Sequence, residues 1–275
     1  MLEGHRLVCD ALEAALGPTA QGQLSPPSLI VVSERALGNS VPEGLRLEGL
    51  LRQLPESAVV MASEDVLKVV ATTDTPQQVV AVMDRPQLAW PGGEGGKGGG
   101  ETGDRSPLYL VCDGVSDPGN MGTLVRSAGA TGVDGVVLVG GCADPFNPKA
   151  LRSAMGATLR LPIVQVKDWE AAVGAGCVLD GVAVHAADMD GVAYYDVDWR
   201  APSALVVGAE AAGLSGEVRG AVSSGAIGAV SIPMAASYGK VESLNAAVAG
   251  SVVLCEAFRQ KSAGTQVGLG VDISG

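Results

Sequence analysis

The sequence predicts an α/β protein in two parts, and three observations carry that prediction. Short apolar runs recur along the chain, separated by segments whose apolar residues fall at helical spacing. One stretch, PGGEGGKGGGETGDRSP at 91–107, has too little apolar content to fold and reads as a flexible linker between the parts. Beyond it, strands and helices alternate regularly. That order argues for a mostly parallel sheet covered on both faces.

In the first part, residues 1–90, Leu2–Leu16 has an amphipathic helical pattern and LIVVS (Leu29–Ser33) is a short strand. Leu45–Leu54 is helical, AVVMA (Ala58–Ala62) a strand, Glu64–Val70 a helix and VVAVM (Val79–Met83) a further strand. In the second part, 108–262, apolar runs place strands at Leu108–Cys112, Gly135–Val139, Leu161–Val166, Val182–His185, Ala204–Val207 and Ala229–Ile232. Glu242–Gln260 is a long final helix, and the glycine-rich tail 263–275 is expected to fray.

Bulk properties narrow the function. The chain is 47% hydrophobic and 17% charged, which suits a globular protein. No uncharged apolar run approaches the ~18 residues of a membrane span. The first residues, MLEGHRLVCDALEAALG, are acidic and amphipathic, unlike a signal peptide or an arginine-rich transit peptide. The expected compartment is the cytoplasm or an organelle, chloroplast or mitochondrion. A net charge of −12 disfavours nucleic acid unless positive charge is local. A local set exists at Arg126, Lys149, Arg152 and Arg160. The five widely spaced cysteines include no CxxC and neither of the two histidines has a suggestive neighbourhood, so no metal site, redox pair or serine triad is expected.

Three stretches carry the chemistry. SDPGNMGTLVRSAG (116–129) follows a strand and opens a helix from Met121. Asn120 and the first-turn amides there would form a polar nest near Arg126, suited to an anion or a ribose. The plainer alternative is an ordinary turn with Asn120 as helix cap. ALVVGAEAAGLS (204–215) runs from a buried strand into Gly208 and Glu210, at the carboxyl end where α/β sheets bind ligands. Gly208 would leave its backbone open to a small ligand; alternatively Glu210 is a helix cap. VSIPMAASYGKVESLNAAVAG (230–250) breaks a strand at Pro233 and brings Ser243 and Asn245 to a helix of small residues, unless Ser243 simply caps that helix. Neither a GxGxxG nor a GxxxxGK[ST] pattern occurs.

Together these stretches resemble the three signature motifs of the SpoU family, the RNA ribose 2′-O-methyltransferases of the SPOUT class: DPGNMGTLVRSA, GAEAAGLS and IPM…ESLNAAVA. DPFNPKALRSAMGATLRLPIV (144–164) is similar to the family's middle region. EGHRLVCDAL and SEDVLKVVATTDTPQQVVAVM resemble its small RNA-binding domain of ribosomal-protein L30e type. The resemblance implies an α/β trefoil knot after the L30e-like domain, S-adenosylmethionine bound within the knot, and a homodimer whose sites are completed by the partner chain.

Carried over residue by residue, Gly208, Ile232 and Leu244 would hold the cofactor through backbone groups, with Met234 packed nearby. Asn120 and Arg126 would face the ribose and its phosphate, and Glu210, Ser243 and Asn245 would complete the site. Lys149 and Arg152 would meet substrate RNA. Arginine is a poor base, its pKa lying above about 12, so Arg126 is expected to clamp phosphate and stabilise developing negative charge. No metal is required.

The L30e-like part favours rRNA over tRNA, and the NxGxxxR spacing favours ribose over a base nitrogen. A catalytically silent RNA-binding or ribosome-assembly protein is the alternative from another class. Two departures from the family pattern stand out. SYGK at 237–240 lengthens the loop 235–241, and Ala154 stands where the family often has serine. The long linker is expected to leave the N-terminal domain mobile, delivering RNA.

Overall fold

A computed structural model describes residues 1–17, 24–38, 42–73, 77–91, 105–235 and 243–263. The linker at 91–107, the loop at 235–241 and the tail at 263–275 therefore lie, apart from their ends, outside the described residues. The chain gathers into two compact units. The first comprises Met1–Ala89, Ser116–Gly129 and Ala143–Ile163; the second comprises Trp90–Val115, Ala130–Cys142 and the residues from Val164 onward.

The first unit is built on a four-stranded sheet in the order β1-β4-β2-β3. Its strands are β1 (Leu2–Glu3), β2 (Leu29–Val32), β3 (Val59–Met61) and β4 (Val79–Val82). β2 and β3 run parallel, and β4 is antiparallel to β1 and β2. The helices are α1 (His5–Leu16), α2 (Gly44–Leu51) and α3 (Glu64–Val70). α1 buries Val8, Ala11, Leu12 and Ala15, the apolar stripe that its spacing predicts. It begins later than Leu2, because Gly4 at φ 103° turns the chain and leaves Leu2 and Glu3 to pair with β4. Leu151 and Leu159 belong to the same apolar core, and Phe146 packs against it. Arg85 lies 4.9 Å over the Phe146 ring and pairs with Asp144 at 2.8 Å.

Glu3 is buried, yet its carboxylate accepts from Thr72 N (2.9 Å), Thr72 Oγ1 (2.7 Å), Thr73 Oγ1 (2.5 Å) and Gln77 N (3.2 Å). Burial opposes ionisation, but the Thr73 and Thr72 hydroxyls and the backbone donors outweigh it and hold the carboxyl below its ordinary value of 4.5. The folded value lies below the unfolded one, so this stabilisation is complete above about pH 4.5 and is lost as pH falls through the folded value. Glu3→Gln should cost about 2 kcal/mol in denaturant unfolding at pH 7 and flatten the acid limb of the stability profile.

Also in this unit, α4 (Pro118–Ala130, apart from its last residue) packs on α5 (Pro148–Ala154). At Gly122 a Cβ would fall 2.3 Å from Ala150 O and 2.6 Å from Ser153 Cβ, so the helices meet backbone to backbone.

The second unit holds a six-stranded sheet in the order β10-β8-β9-β5-β6-β7. The strands are β5 (Leu108–Asp113), β6 (Gly135–Val139), β7 (Ile163–Val166), β8 (Ala183–Ala193), β9 (Ser203–Gly208) and β10 (Gly228–Ser231). β10–β8, β8–β9, β9–β5 and β5–β6 are all parallel pairs. Every residue of β5, β6 and β9 is buried, which accounts for their continuous apolar runs. Helices α6 (Glu170–Val173), α7 (Gly216–Ser223) and α8 (Ala246–Ser262) complete the unit.

Two elements differ from expectation. β8 continues to Ala193 rather than ending at His185, and its register against β10 shifts between Ala229 and Val230. Gly191 permits this, since a Cβ there would sit 2.4 Å from the Ala229 carbonyl carbon. The final helix begins at Ala246 instead of Glu242, because Asn245 is its cap. No helix among the described residues is long and apolar enough to cross a membrane.

Candidate functional site

In the second unit, a cleft of about 660 Å³ opens at the carboxyl ends of β9 and β10. Most of its lining comes from three pieces of chain: Val207–Leu214 leaving β9, Val230–Met234 leaving β10, and Ser243–Leu244 with the first turns of α8. Gly208, Ile232, Met234 and Leu244, the residues expected to hold a cofactor, all line it, as do Glu210 and Ser243.

Asn245 ties two of these pieces together. Its Nδ2 donates to Glu210 Oε1 at 3.1 Å, and its Oδ1 accepts from Ala247 N (2.9 Å) and Val248 N (3.2 Å). The helix cap is thus Asn245, not Ser243. α7 is capped by Ser215, whose Oγ accepts from Val218 N at 3.3 Å. Asn245→Ala should cost about 1 kcal/mol of stability through the lost cap, readable as a lowered denaturation midpoint.

The loop 209–213 folds back on itself. Ala209 N donates to Gly213 O (2.9 Å) and Gly213 N to Ala209 O (2.8 Å). A Cβ on Gly208 would meet Gly213 C and O at 2.5 Å and Leu214 N at 2.7 Å. Glycine at 208 is therefore required by this inner contact, a demand the sequence did not reveal. Below the loop, the buried Asp113 ends β5 and accepts from Ser215 N at 2.6 Å. Sequence reasoning missed three residues here. Asp188 and Met189 reach the cleft from the irregular part of β8, and Arg219 reaches it from α7. The glycine in ADMDG was the available signal for the first two.

Asn120, Arg126, Lys149 and Arg152 belong to the first unit. α4 starts at Pro118, earlier than Met121, with proline in its first turn. Asn120 accordingly lies inside the helix. Its N–H donates to Asp117 Oδ1 at 2.8 Å, and Met121 N donates to Asp117 O at 3.0 Å, so the expected nest of open amides is already occupied at these two positions. Asp117 also pairs with Lys149 at 3.0 Å. Its carboxyl is held below the usual range, first by the Asn120 N–H and then by Lys149. Arg126 is exposed, opposite the buried Leu124, Val125 and Ala128, and makes no ion pair among the described residues. Arg152 is half-buried, with Nη1 shielded and without a hydrogen-bond partner among the described residues. Ala154 is fully buried. No group of three metal-ligating side chains occurs among the described residues.

A parallel α/β sheet with a ligand-sized cleft at its strand ends, built from the second and third motifs, places the chain among the α/β proteins that bind a small ligand there. The SpoU rRNA Methylase family model matches residues 107–255, and the chain belongs to that family. It is 34% identical over 229 residues to the 23S rRNA (uridine(2479)-2′-O)-methyltransferase of Streptomyces viridochromogenes, covering 78% of this chain and 71% of that one. It is also 34% identical over 201 residues to the 23S rRNA (guanosine(2553)-2′-O)-methyltransferase RlmP of Bacillus subtilis, covering 70% of each. Among solved structures, the SpoU methyltransferase AviRb from Streptomyces viridochromogenes in complex with AdoMet aligns at a TM-score of 0.70. It is 28% identical, covering 95% of this chain and 89% of that one.

Proposed function

We propose that this protein transfers a methyl group from S-adenosylmethionine to a ribose 2′-hydroxyl of ribosomal RNA. The observation that carries the reading is the cleft itself, where Gly208, Glu210, Ile232, Met234, Ser243 and Leu244 converge and Asn245 holds Glu210. Its residues fit the cofactor. The volume is that of a small-molecule site, and the lining is more apolar than polar. Two carboxylates, Asp188 and Glu210, suit a cationic ligand. The similarity to methyltransferases named for 23S rRNA supports rRNA as the substrate.

When bound, the cofactor supplies an electrophilic methyl group on a sulfonium. The protein must then hold the hydroxyl in line and stabilise its developing charge. In this reading Gly208, Ile232 and Leu244 present backbone groups to the cofactor and Met234 packs beside it. Asn120 orients the ribose, and Arg126, a permanent cation, clamps the adjacent phosphate. Glu210, Ser243 and Asn245 are the site's further polar groups, and Lys149 and Arg152 add RNA contacts. Residues 1–90 present RNA as an L30e-like domain, and 108–262 carry the transfer as a knotted homodimer.

The test is methyl transfer from labelled S-adenosylmethionine to total RNA, with mapping of alkali-resistant ribose positions. One new 2′-O-methyl site in large-subunit rRNA is the expected result. A site in tRNA would reassign the substrate. Neither transfer nor cofactor binding would leave a silent RNA-binding protein.

A further inference from the structure

We infer that Arg219 is a positioning residue for the cofactor cleft, acting through the backbone of the loop that carries Glu210; the inference rests on the reading that this cleft takes S-adenosylmethionine. Arg219 Nε donates to Leu214 O at 2.8 Å and Nη2 donates to Ala212 O at 3.0 Å. These carbonyls flank Gly213, whose φ of +67° is the left-handed turn that sends the loop back toward β9. One planar fork thus fixes the peptide units on both sides of the turn.

Arg219 springs from a fixed base. Its own N–H donates to Ser215 O at 3.0 Å in the first turn of α7, the neighbouring Val218 is fully buried, and Glu217 Oε2 accepts from Trp169 N at 3.1 Å. The loop it holds is exposed from Glu210 to Gly213, and the fork adds to the Ala209–Gly213 bonds and the Asn245–Glu210 contact. Charge does not by itself give a reason for a guanidinium here, because S-adenosylmethionine carries both a sulfonium and a carboxylate. Two backbone carbonyls with their oxygens aimed at it do give one. The fork sets the orientation of the loop before the ligand arrives, so binding does not bear the cost of ordering it.

The test measures the affinity of Arg219→Ala and Arg219→Lys for S-adenosylmethionine and for methylthioadenosine, which lacks the amino-acid moiety, together with kcat at saturating cofactor. Arg219→Ala should weaken both ligands by the same factor, about tenfold, and the loss should fall more on cofactor affinity than on kcat. Arg219→Lys, which keeps the charge but has a single donor nitrogen, should fall between, and it carries the test if the alanine variant does not fold. Weakening of S-adenosylmethionine alone would mean that Arg219 pairs with the ligand's carboxylate, and would overturn the inference. So would unchanged affinity in both variants while the unaltered chain binds. If the unaltered chain binds no S-adenosylmethionine, the functional reading itself fails, and this inference with it.

Discussion

Arg126→Ala is expected to lower methyl transfer to RNA by about 10²- to 10³-fold while leaving S-adenosylmethionine affinity unchanged. Truncation at this position removes little that holds the fold. The side chain is exposed on α4, and the buried face of the helix is made by Met121, Leu124, Val125 and Ala128. What is lost is a cation that stays charged at every working pH and can offer two parallel donors to a phosphate. Arg126→Lys keeps the charge and loses the fork, so it should recover only part of the rate. Single-turnover transfer, read beside calorimetric cofactor binding, separates the outcomes. Full turnover in Arg126→Ala would remove Arg126 from the chemistry, and a parallel loss of cofactor binding would assign it to a different site.

The second large effect is expected at Gly208. Gly208→Ala places a methyl group 2.5 Å from Gly213 C and O and 2.7 Å from Leu214 N, all of them backbone. The loop has little room to yield, since the Ala209–Gly213 bridge and the Asp113–Ser215 bond hold it. The strand cannot yield either, because β9 is fully buried between β8 and β5. Overpacking of this kind costs about 1–3 kcal/mol. Cofactor affinity should fall by about 10- to 100-fold as the loop is displaced. Gly213→Ala is the informative control. Its Cβ meets nothing within 4 Å, so only the positive φ is penalised, and the loss should be smaller. Affinity within twofold of the unaltered protein for Gly208→Ala would show that the loop does not shape the cleft.

Much of this arrangement was legible in the sequence, for identifiable reasons. β5, β6 and β9 are buried along their whole length, so their apolar runs stand out against any background. The three motif stretches were visible because glycine, proline and short polar residues punctuate the ends of apolar strands. The second half of β8 was not visible. ADMDGVA has neither a continuous apolar run nor clean alternation, and only its pairing with β10 makes it a strand. Asp188 and Arg219 were missed for the same reason: an irregular strand and a following helix bring them to the cleft from outside the motifs. Capping was misread by small steps in sequence. Ser243 and Asn245, like Asp117 and Asn120, are close neighbours of similar chemistry, and only geometry decides which of each pair meets the helix amides.

The bare contact at Gly122 has a mechanical meaning. Where two helices meet at the Gly122 and Ala150 main chain, with only the Ser153 Cβ beside them, they have little room to slide or roll independently. Arg126 on α4 and Lys149 and Arg152 on α5 are therefore spaced as fixed marks on a ruler, and the Asp117–Lys149 pair braces the same joint. A nucleic acid gripped by one of these cations would find the others already at set distances, and a strand whose phosphates do not match that spacing could not be accommodated by adjustment of the helices.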